Sequence, residues 1–202
     1  MKTENAKELF PTIEHWLSFN ELADQREAIH ECFFEPATRL IREHFNEQPA
    51  SGWSLVPWGL PSRDSKWYLD EFGPDSLFIC YGWHYELQLR LDNQVRFDSG
   101  AITKALETSN FDQLKHAFQR IDRYMQADSK LMERGNFRFN IPHDGSLSWR
   151  ELSWAAAFKT DKFVHQATEK IERIVRDETV TAQIRELNRI GLEANQVNLE
   201  NA

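Results

Sequence analysis

The sequence predicts an α+β fold, an antiparallel β-meander of three to five strands covered by amino- and carboxy-terminal helices. The first observation is strict alternation between positions 76 and 92, where every odd position is apolar and most even positions are small or polar. Such period-two patterning is typical of a strand with one buried face. The second observation is that apolar residues recur at helical spacing on both sides of this stretch. We therefore expect helices on one face of the sheet and solvent or a site on the other.

A hairpin within this stretch is predicted, with Gly82, Trp83 and His84 as a three-residue loop. An odd loop keeps the apolar residues of both strands on one face, whereas a two-residue loop would mix apolar and polar residues. The expected cross-strand pairs are Tyr81 with Tyr85, Ile79 with Leu87 and Leu77 with Leu89. The same reasoning predicts a further strand near positions 94–98.

Helices dominate the amino-terminal segment, residues 1–48. Pro11 suits a first helical position, and a second helix begins near Glu21. Because proline inside a helix costs about 3 kcal/mol, Pro36 is expected in the first turn of a new helix. This segment is predicted to pack on a sheet core formed by residues 49–147.

The carboxy-terminal half is also mainly helical. A long amphipathic helix is predicted over residues 110–134, followed by a strand over 136–141. Residues 148–202 form the last segment, in which Ser148 and Glu151 fit a capping box. Later helical segments end before Gly191, and the polar tail is expected to fray. All three segments together are expected to make one compact domain.

A candidate binding surface lies between the first helices and the alternating stretch. Residues 53–59 suit a short strand, which Pro57 confines to a sheet edge or a strand end. The residues that follow, up to position 76, suggest a long loop held by aromatic side chains, and loops of this length often carry function. The aromatic residues that would form the surface are Trp53, Trp58, Trp67, Tyr68 and Phe72.

Composition favours some classes of function over others. The formal charge of −8 disfavours general binding to nucleic acid, because phosphates repel an acidic surface. Cys32 and Cys80 lack metal-ligand spacing and are expected to be buried free thiols. No secretory signal or long apolar run is present, so we expect a cytoplasmic protein that does not enter the membrane.

The order of elements around the alternating stretch resembles the αβββαβ core of the PD-(D/E)xK nuclease superfamily. Pro74 and Asp75, followed by Glu86 and Gln88, are similar to its motif. The resemblance implies that Asp75 and Glu86 hold a divalent metal such as Mg²⁺, which activates water. Gln88 stands where the family has lysine, and an amide carries no positive charge. Under this hypothesis Lys66 or Arg90 would supply that charge.

Two patterns that contain a histidine suggest other kinds of catalytic or metal site. His84 would share a strand face with Glu86 and, together with Asp75, could form a small metal site. The alternative is an exposed sheet face with ordinary polar groups. Arg39 and His44 fit the R-x4-H spacing of HEPN ribonucleases, which are all-helical.

No complete catalytic motif or glycine-rich phosphate loop is present in the sequence. We therefore expect a cytosolic accessory protein without catalytic activity or cofactor, which binds another macromolecule, and we expect that partner to be a protein. The alternative is a metal-dependent nuclease, or an inactive relative, of the PD-(D/E)xK type. A homodimer would be suggested by an exposed apolar face on the helix over residues 160–190.

Overall fold

The fold is α+β, with an antiparallel four-stranded sheet and helices from both ends of the chain beside it. The computed structural model describes residues 11–57, 64–82, 86–91, 96–119 and 149–200. The strands are β1 (Trp53–Pro57), β2 (Ser65–Leu69), β3 (Leu77–Gly82) and β4 (Glu86–Leu91), and they follow one another in that order across the sheet. The helices are α1 (Ile13–Asp24), α2 (Arg26–Glu47), α3 (Ser99–Leu106), α4 (Asp112–Gln119), α5 (Trp149–Phe158), α6 (Thr160–Val175) and α7 (Glu178–Glu200), with a 3-10 turn at Ser109–Phe111 before α4. The predicted meander is confirmed.

The hairpin between β3 and β4 has the predicted parity but a different register. Gly82 pairs with Glu86, and the pairing continues through Tyr81 with Leu87 to Leu77 with Leu91. The expected register is therefore wrong by two residues. Alternation cannot distinguish registers that differ by two, because such a shift leaves every side chain on the same face.

One face of the sheet forms the core together with buried residues from six of the described helices, α2 to α7. Its buried residues include Trp67 and Leu69 from β2 and the odd-numbered residues of β3 and β4. Phe34, Ala37, Ile41 and Phe45 of α2 pack in the same cluster as buried residues from α5, α6 and α7. Helices from both ends of the chain thus cover a single apolar face.

The centre of the opposite face of the sheet is also buried, where we expected solvent or a site; the residues around it are partly exposed. Lys66, Phe78, Cys80 and Gln88 are each less than 7% exposed. Lys66 Nζ lies 4.0 Å from the centroid of the Phe78 ring, a cation–π contact that compensates part of the cost of burying the charge. The alternation predicted correctly which side chains share a strand face. It did not predict that residues on both faces would be buried.

The segment expected to be a long aromatic loop contains strand β2, at an interior position of the sheet. Trp67 opposes Leu55 of β1 on one side and Ile79 of β3 on the other. Alternation in Ser65–Leu69 is short and is mixed with polar residues, which hid it. Pro57, by contrast, lies at the end of edge strand β1 as predicted.

Helix α2 continues through Pro36 rather than beginning there. Pro36 and Cys32, whose carbonyl would otherwise accept the missing hydrogen bond, both lie at exposed positions. Water can therefore satisfy that carbonyl, and the burial of Phe34, Ala37 and Ile41 compensates for the lost bond. The exposure of Cys32 also corrects the expectation that both thiols are buried, whereas Cys80 is buried as predicted.

Helix α7 continues nine residues beyond Gly191, so the predicted helix end and frayed tail are wrong. Gly191 serves close packing instead. A Cβ atom at this position would lie 2.7 Å from Cδ1 of Ile102 in α3. The backbone N–H of Asp98 donates to the Gly191 carbonyl at 2.9 Å, and the Asp98 carboxylate caps α3. Asp98 thus does not extend the strand expected over 94–98, and residues 96–98 are irregular.

Some predicted elements lie outside the described residues: most of the helix over 110–134, the strand over 136–141 and the Ser148 cap. Helix α5 begins at Trp149. Within the described ranges, no helix is both long enough and apolar enough to cross a bilayer.

Candidate protein-binding surface

Helix α1 presents its apolar side chains to solvent. None of its twelve residues is buried. Its large apolar residues are between 45% and 62% exposed, and they are Ile13, Trp16, Leu17, Phe19 and Leu22. We refer to these five residues as the α1 surface. Scattered apolar residues on a protein surface are ordinary, but five on one helix form a feature typical of binding sites.

The start of α1 is defined by its own hydrogen bonds. Thr12 is the N-cap, and its hydroxyl oxygen accepts from the His15 backbone N–H at 3.3 Å. Hydrogen bonds from the Glu14 backbone and from Thr12 lower the pKa of the Glu14 carboxyl. A carboxylate in the first turn also interacts favourably with the helix dipole. The helix is therefore supported locally, although it contributes no buried residue to the core.

Trp16 and Phe19 form the aromatic centre of the α1 surface. Their ring centroids are 5.9 Å apart, with the planes inclined by 29°. This geometry is an offset stack, which holds two large rings side by side at little conformational cost. The charged residues of α1 are Glu14, Glu21 and Asp24, and α1 contains no lysine or arginine.

A second group of exposed aromatic residues lies on α5 and α2. Trp154 is 49% exposed and Phe158 is 64% exposed, and their rings stack at 5.5 Å. Phe33 of α2 meets the Phe158 ring edge-on at 5.9 Å, and Lys159 Nζ lies 5.2 Å from the centroid of the Trp154 ring. We refer to Phe33, Trp154, Phe158 and Lys159 as the aromatic patch.

The residues proposed for a nuclease site are not brought together. Asp75 is exposed and lies two residues before β3, whereas the Glu86 backbone pairs with Gly82 at the other end of β3. A strand of this length spans ~17 Å. Since ligand oxygens lie roughly 2.0–2.6 Å from Mg²⁺ or Ca²⁺, this separation argues against a shared metal ion. His84 lies outside the described residues.

Gln88 and the possible replacements for the family's lysine lie on the buried second face of the sheet. Lys66 opposes Cys80, which in turn opposes Gln88, so the three residues form a row across β2, β3 and β4. Cys80 Sγ is 4.0 Å from Oε1 of Gln88. Asp75, exposed beyond the end of β3, is not part of this row. Among the described residues, no group of three His, Cys, Asp or Glu side chains is arranged to hold a metal.

Arg39 and His44 of the R-x4-H pattern have separate partners. Arg39 pairs with Glu43 on the exposed side of α2 at 3.8 Å. His44 Nε2 lies 3.0 Å from Glu172 Oε1 on α6, and Arg176 Nε donates to the same oxygen at 3.1 Å. Burial raises the pKa of Glu172, but the hydrogen bonds and charges of His44 and Arg176 outweigh it, so the pKa is lowered. This cluster joins two core helices.

The aromatic residues first proposed as a binding surface have different positions. Trp53 and Trp67 are buried, Trp53 Nε1 donates to Thr181 at 3.4 Å, and Trp67 packs edge-on against Phe45 at 5.3 Å. Tyr68 and Phe72 are partly exposed, and Trp58 lies outside the described residues. Sequence reasoning placed Trp16 on a helix but did not distinguish a covered apolar face from an exposed one. It gave no role to Trp154 or Phe158.

Comparison with protein-family profiles, curated protein sequences and solved structures returned no significant match. The surfaces of the chain itself therefore provide the argument for function.

Proposed function

We propose that this chain is a non-catalytic accessory protein that acts in the cytoplasm by binding another protein chain. The observation that carries the proposal is the α1 surface, because α1 exposes five large apolar side chains and buries none of its residues. About half of each of these side chains is exposed, and covering that apolar area by a partner would be favourable.

The chemistry of α1 favours a protein partner over a membrane or a nucleic acid. Helices that lie on membranes usually combine an apolar face with lysine and arginine, which attract anionic lipids. The charged residues of α1 are instead three carboxylates. The same carboxylates would be repelled by phosphates. Amphipathic helices that dock in apolar grooves of proteins use anchors at positions i, i+3 and i+4, which is the spacing of Ile13, Trp16 and Leu17.

A cytoplasmic location agrees with the state of the cysteines. Cys32 and Cys80 are both free, and Cys32 is exposed. An exposed free thiol is more compatible with a reducing compartment than with an oxidising one.

Site-specific photo-cross-linking in the native host tests this proposal. A photoreactive phenylalanine analogue at position 16 should give discrete cross-linked products with a partner chain. The matched control is the same analogue at Val197 on α7, which is 56% exposed and lies outside the α1 surface. Equal product patterns at both positions, or none at position 16, would contradict the proposal.

A further inference from the structure

The aromatic patch offers a surface with properties complementary to those of α1. Phe158 and Trp154 supply exposed rings, and Lys159 places an ammonium group beside them. Lys162, one turn into α6, is also exposed, next to an exposed Asp161. The α1 surface combines exposed rings with three carboxylates on the same helix. Each surface thus supplies apolar area, and the carboxylates of α1 are opposite in charge to the Lys159 ammonium beside the rings of the patch.

From this complementarity we infer that the α1 surface docks on the aromatic patch of a second copy of the same chain. The inference rests on the proposed function and names its partner. Because each copy carries both surfaces, two copies related by a twofold axis would form the contact twice. In such a pair, each α1 would lie against α5 of its partner, with its carboxylates near Lys159.

The available area is sufficient for such a dimer. The α1 surface and the two exposed rings of the patch comprise seven large side chains that are 45–64% exposed. Covering about 100 Å² of each would bury roughly 700 Å² per chain. Stable interfaces bury ~800 Å² per partner, including their polar rim. A contact made twice therefore reaches that size, whereas α1 alone would fall short of it.

The face first expected to support a dimer does not serve that purpose. The apolar residues of α6, including Phe163, Ile171 and Ile174, are buried in the core of their own chain. The exposed apolar area on the described helices lies mainly on α1 and α5 instead.

Sedimentation velocity over a range of protein concentrations tests the inference. The wild type should show a reversible monomer–dimer equilibrium. Trp16→Ala and Phe158→Ala, on opposite sides of the proposed contact, should each raise the dimer Kd by at least about tenfold, as expected for interface anchors. Val197→Ala is the matched control and should leave the Kd unchanged, because Val197 is exposed but lies outside both surfaces.

Mixing the two variants gives the sharpest test. The Trp16→Ala homodimer has a damaged α1 in both contacts, and the Phe158→Ala homodimer has a damaged patch in both. A mixed dimer joins the intact α1 of one variant to the intact patch of the other, so one contact is fully restored. In the second contact both surfaces are damaged, but Trp16 and Phe158 would meet each other there, so the second truncation costs much less than the first. The mixture should therefore form more dimer than either variant alone at the same total concentration.

If Phe158→Ala disturbs folding through its contact with Phe33, a charge variant provides an independent test. Lys159→Glu changes an exposed side chain and should raise the Kd at low salt, because it would face the carboxylates of α1.

A wild type that stays monomeric, or a mixture without restored dimer, would overturn the inference. If a monomeric wild type still gave cross-links from position 16 to another protein, the proposed function would stand without it. If position 16 gave no cross-links at all, both the proposed function and the proposed dimer would be contradicted.

Discussion

Helices α1 and α7 both carry apolar residues at helical spacing, yet they have opposite positions in the molecule. Val180, Ile184 and Leu187 of α7 are almost completely buried, whereas α1 buries nothing. The difference lies in the polar and small residues between the apolar ones. Those of α7 fit specific partners in other elements, whereas in the described part of the chain the Asn20 side chain of α1 donates to the Trp16 carbonyl of its own helix at 2.7 Å.

The polar residues of α7 complete the hydrogen bonds of other elements. The Asn188 side-chain oxygen accepts from the Leu77 backbone N–H at 2.8 Å, at the start of β3. Gln183 accepts from the Leu114 N–H at 2.6 Å and donates to the Asn110 carbonyl at 2.7 Å. Buried backbone groups need such partners. The side chains of α7 therefore complete the hydrogen bonding of β3 and of the first turn of α4. The predictions below test this contrast, from the largest effect to the smallest.

Asn188→Ala should produce a large loss of stability. Asn188 is fully buried, and the substitution leaves the Leu77 N–H without its acceptor while creating a small cavity. We expect the free energy of unfolding to fall by about 3 kcal/mol in urea titrations. The control is Gln196→Ala, which removes an exposed amide from the same helix. Equal midpoints for the two variants would show that β3 does not depend on Asn188.

Gly191→Ala should destabilise the contact between α7 and α3. Alanine would gain about 1 kcal/mol in helix propensity, but the new methyl group would lie 2.7 Å from Cδ1 and 3.0 Å from Cγ1 of buried Ile102. Overpacking of this kind costs roughly 1–3 kcal/mol, so we expect a net loss of about 1 kcal/mol.

The double variant Gly191→Ala with Ile102→Val identifies the cause of that loss. Valine lacks the Cδ1 atom that the new methyl group would meet. In a thermodynamic cycle of urea titrations, the double variant should lose less stability than the two single variants added together. Strict additivity would place the cause elsewhere.

Glu172→Gln should weaken the link between α2 and α6 in a pH-dependent manner. The pKa of Glu172 is lowered in the folded state, so its contribution to stability is present above its ordinary value of 4.5 and is lost as the pH falls through the folded pKa. At neutral pH we expect a loss of about 1 kcal/mol or less, because the group is partly exposed.

The difference between the wild type and Glu172→Gln should therefore shrink as the pH falls from 5 towards 3, as measured by urea titration at each pH. Glu169→Gln is the control, because Glu169 pairs with Arg173 on the exposed side of the same helix. A difference that stays constant over this range would contradict the role assigned to the Glu172 carboxylate.

The sequence predicted the sheet better than it predicted the surfaces. Period-two alternation identified both strands of the β3–β4 hairpin and their shared apolar face, because burial acts on each residue separately. It could not fix the register to better than two residues, and it did not reveal β2, whose pattern is short. Pro36 and Gly191 were interpreted by local rules of helix termination, and tertiary packing overrides those rules at both positions.

The candidate surface was beyond sequence reasoning for a related reason. The Trp16 side chain fits an amphipathic helix equally well whether the helix packs on the core or projects from it. The choice depends on which elements pack on the core, and the core face of the sheet is already packed with residues of α2 to α7. Trp53 and Trp67 show the opposite error. They suggested an exposed surface because they lie among polar residues in the sequence, although their strand positions place them in the core.

Leu22→Ala should have the smallest effect on the fold and the clearest effect on association. Leu22 is 60% exposed, so the free energy of unfolding in dilute solution should change by less than about 0.5 kcal/mol. Leu187→Ala, the matched truncation on α7, removes a fully buried side chain and should cost roughly 2–5 kcal/mol.

If two copies associate through α1, the apparent stability of the wild type rises with protein concentration by mass action, and Leu22→Ala should reduce that rise. Thermal unfolding at several concentrations measures both quantities. A large loss of stability for Leu22→Ala in dilute solution would mean that Leu22 contributes to the folding of its own chain rather than to association.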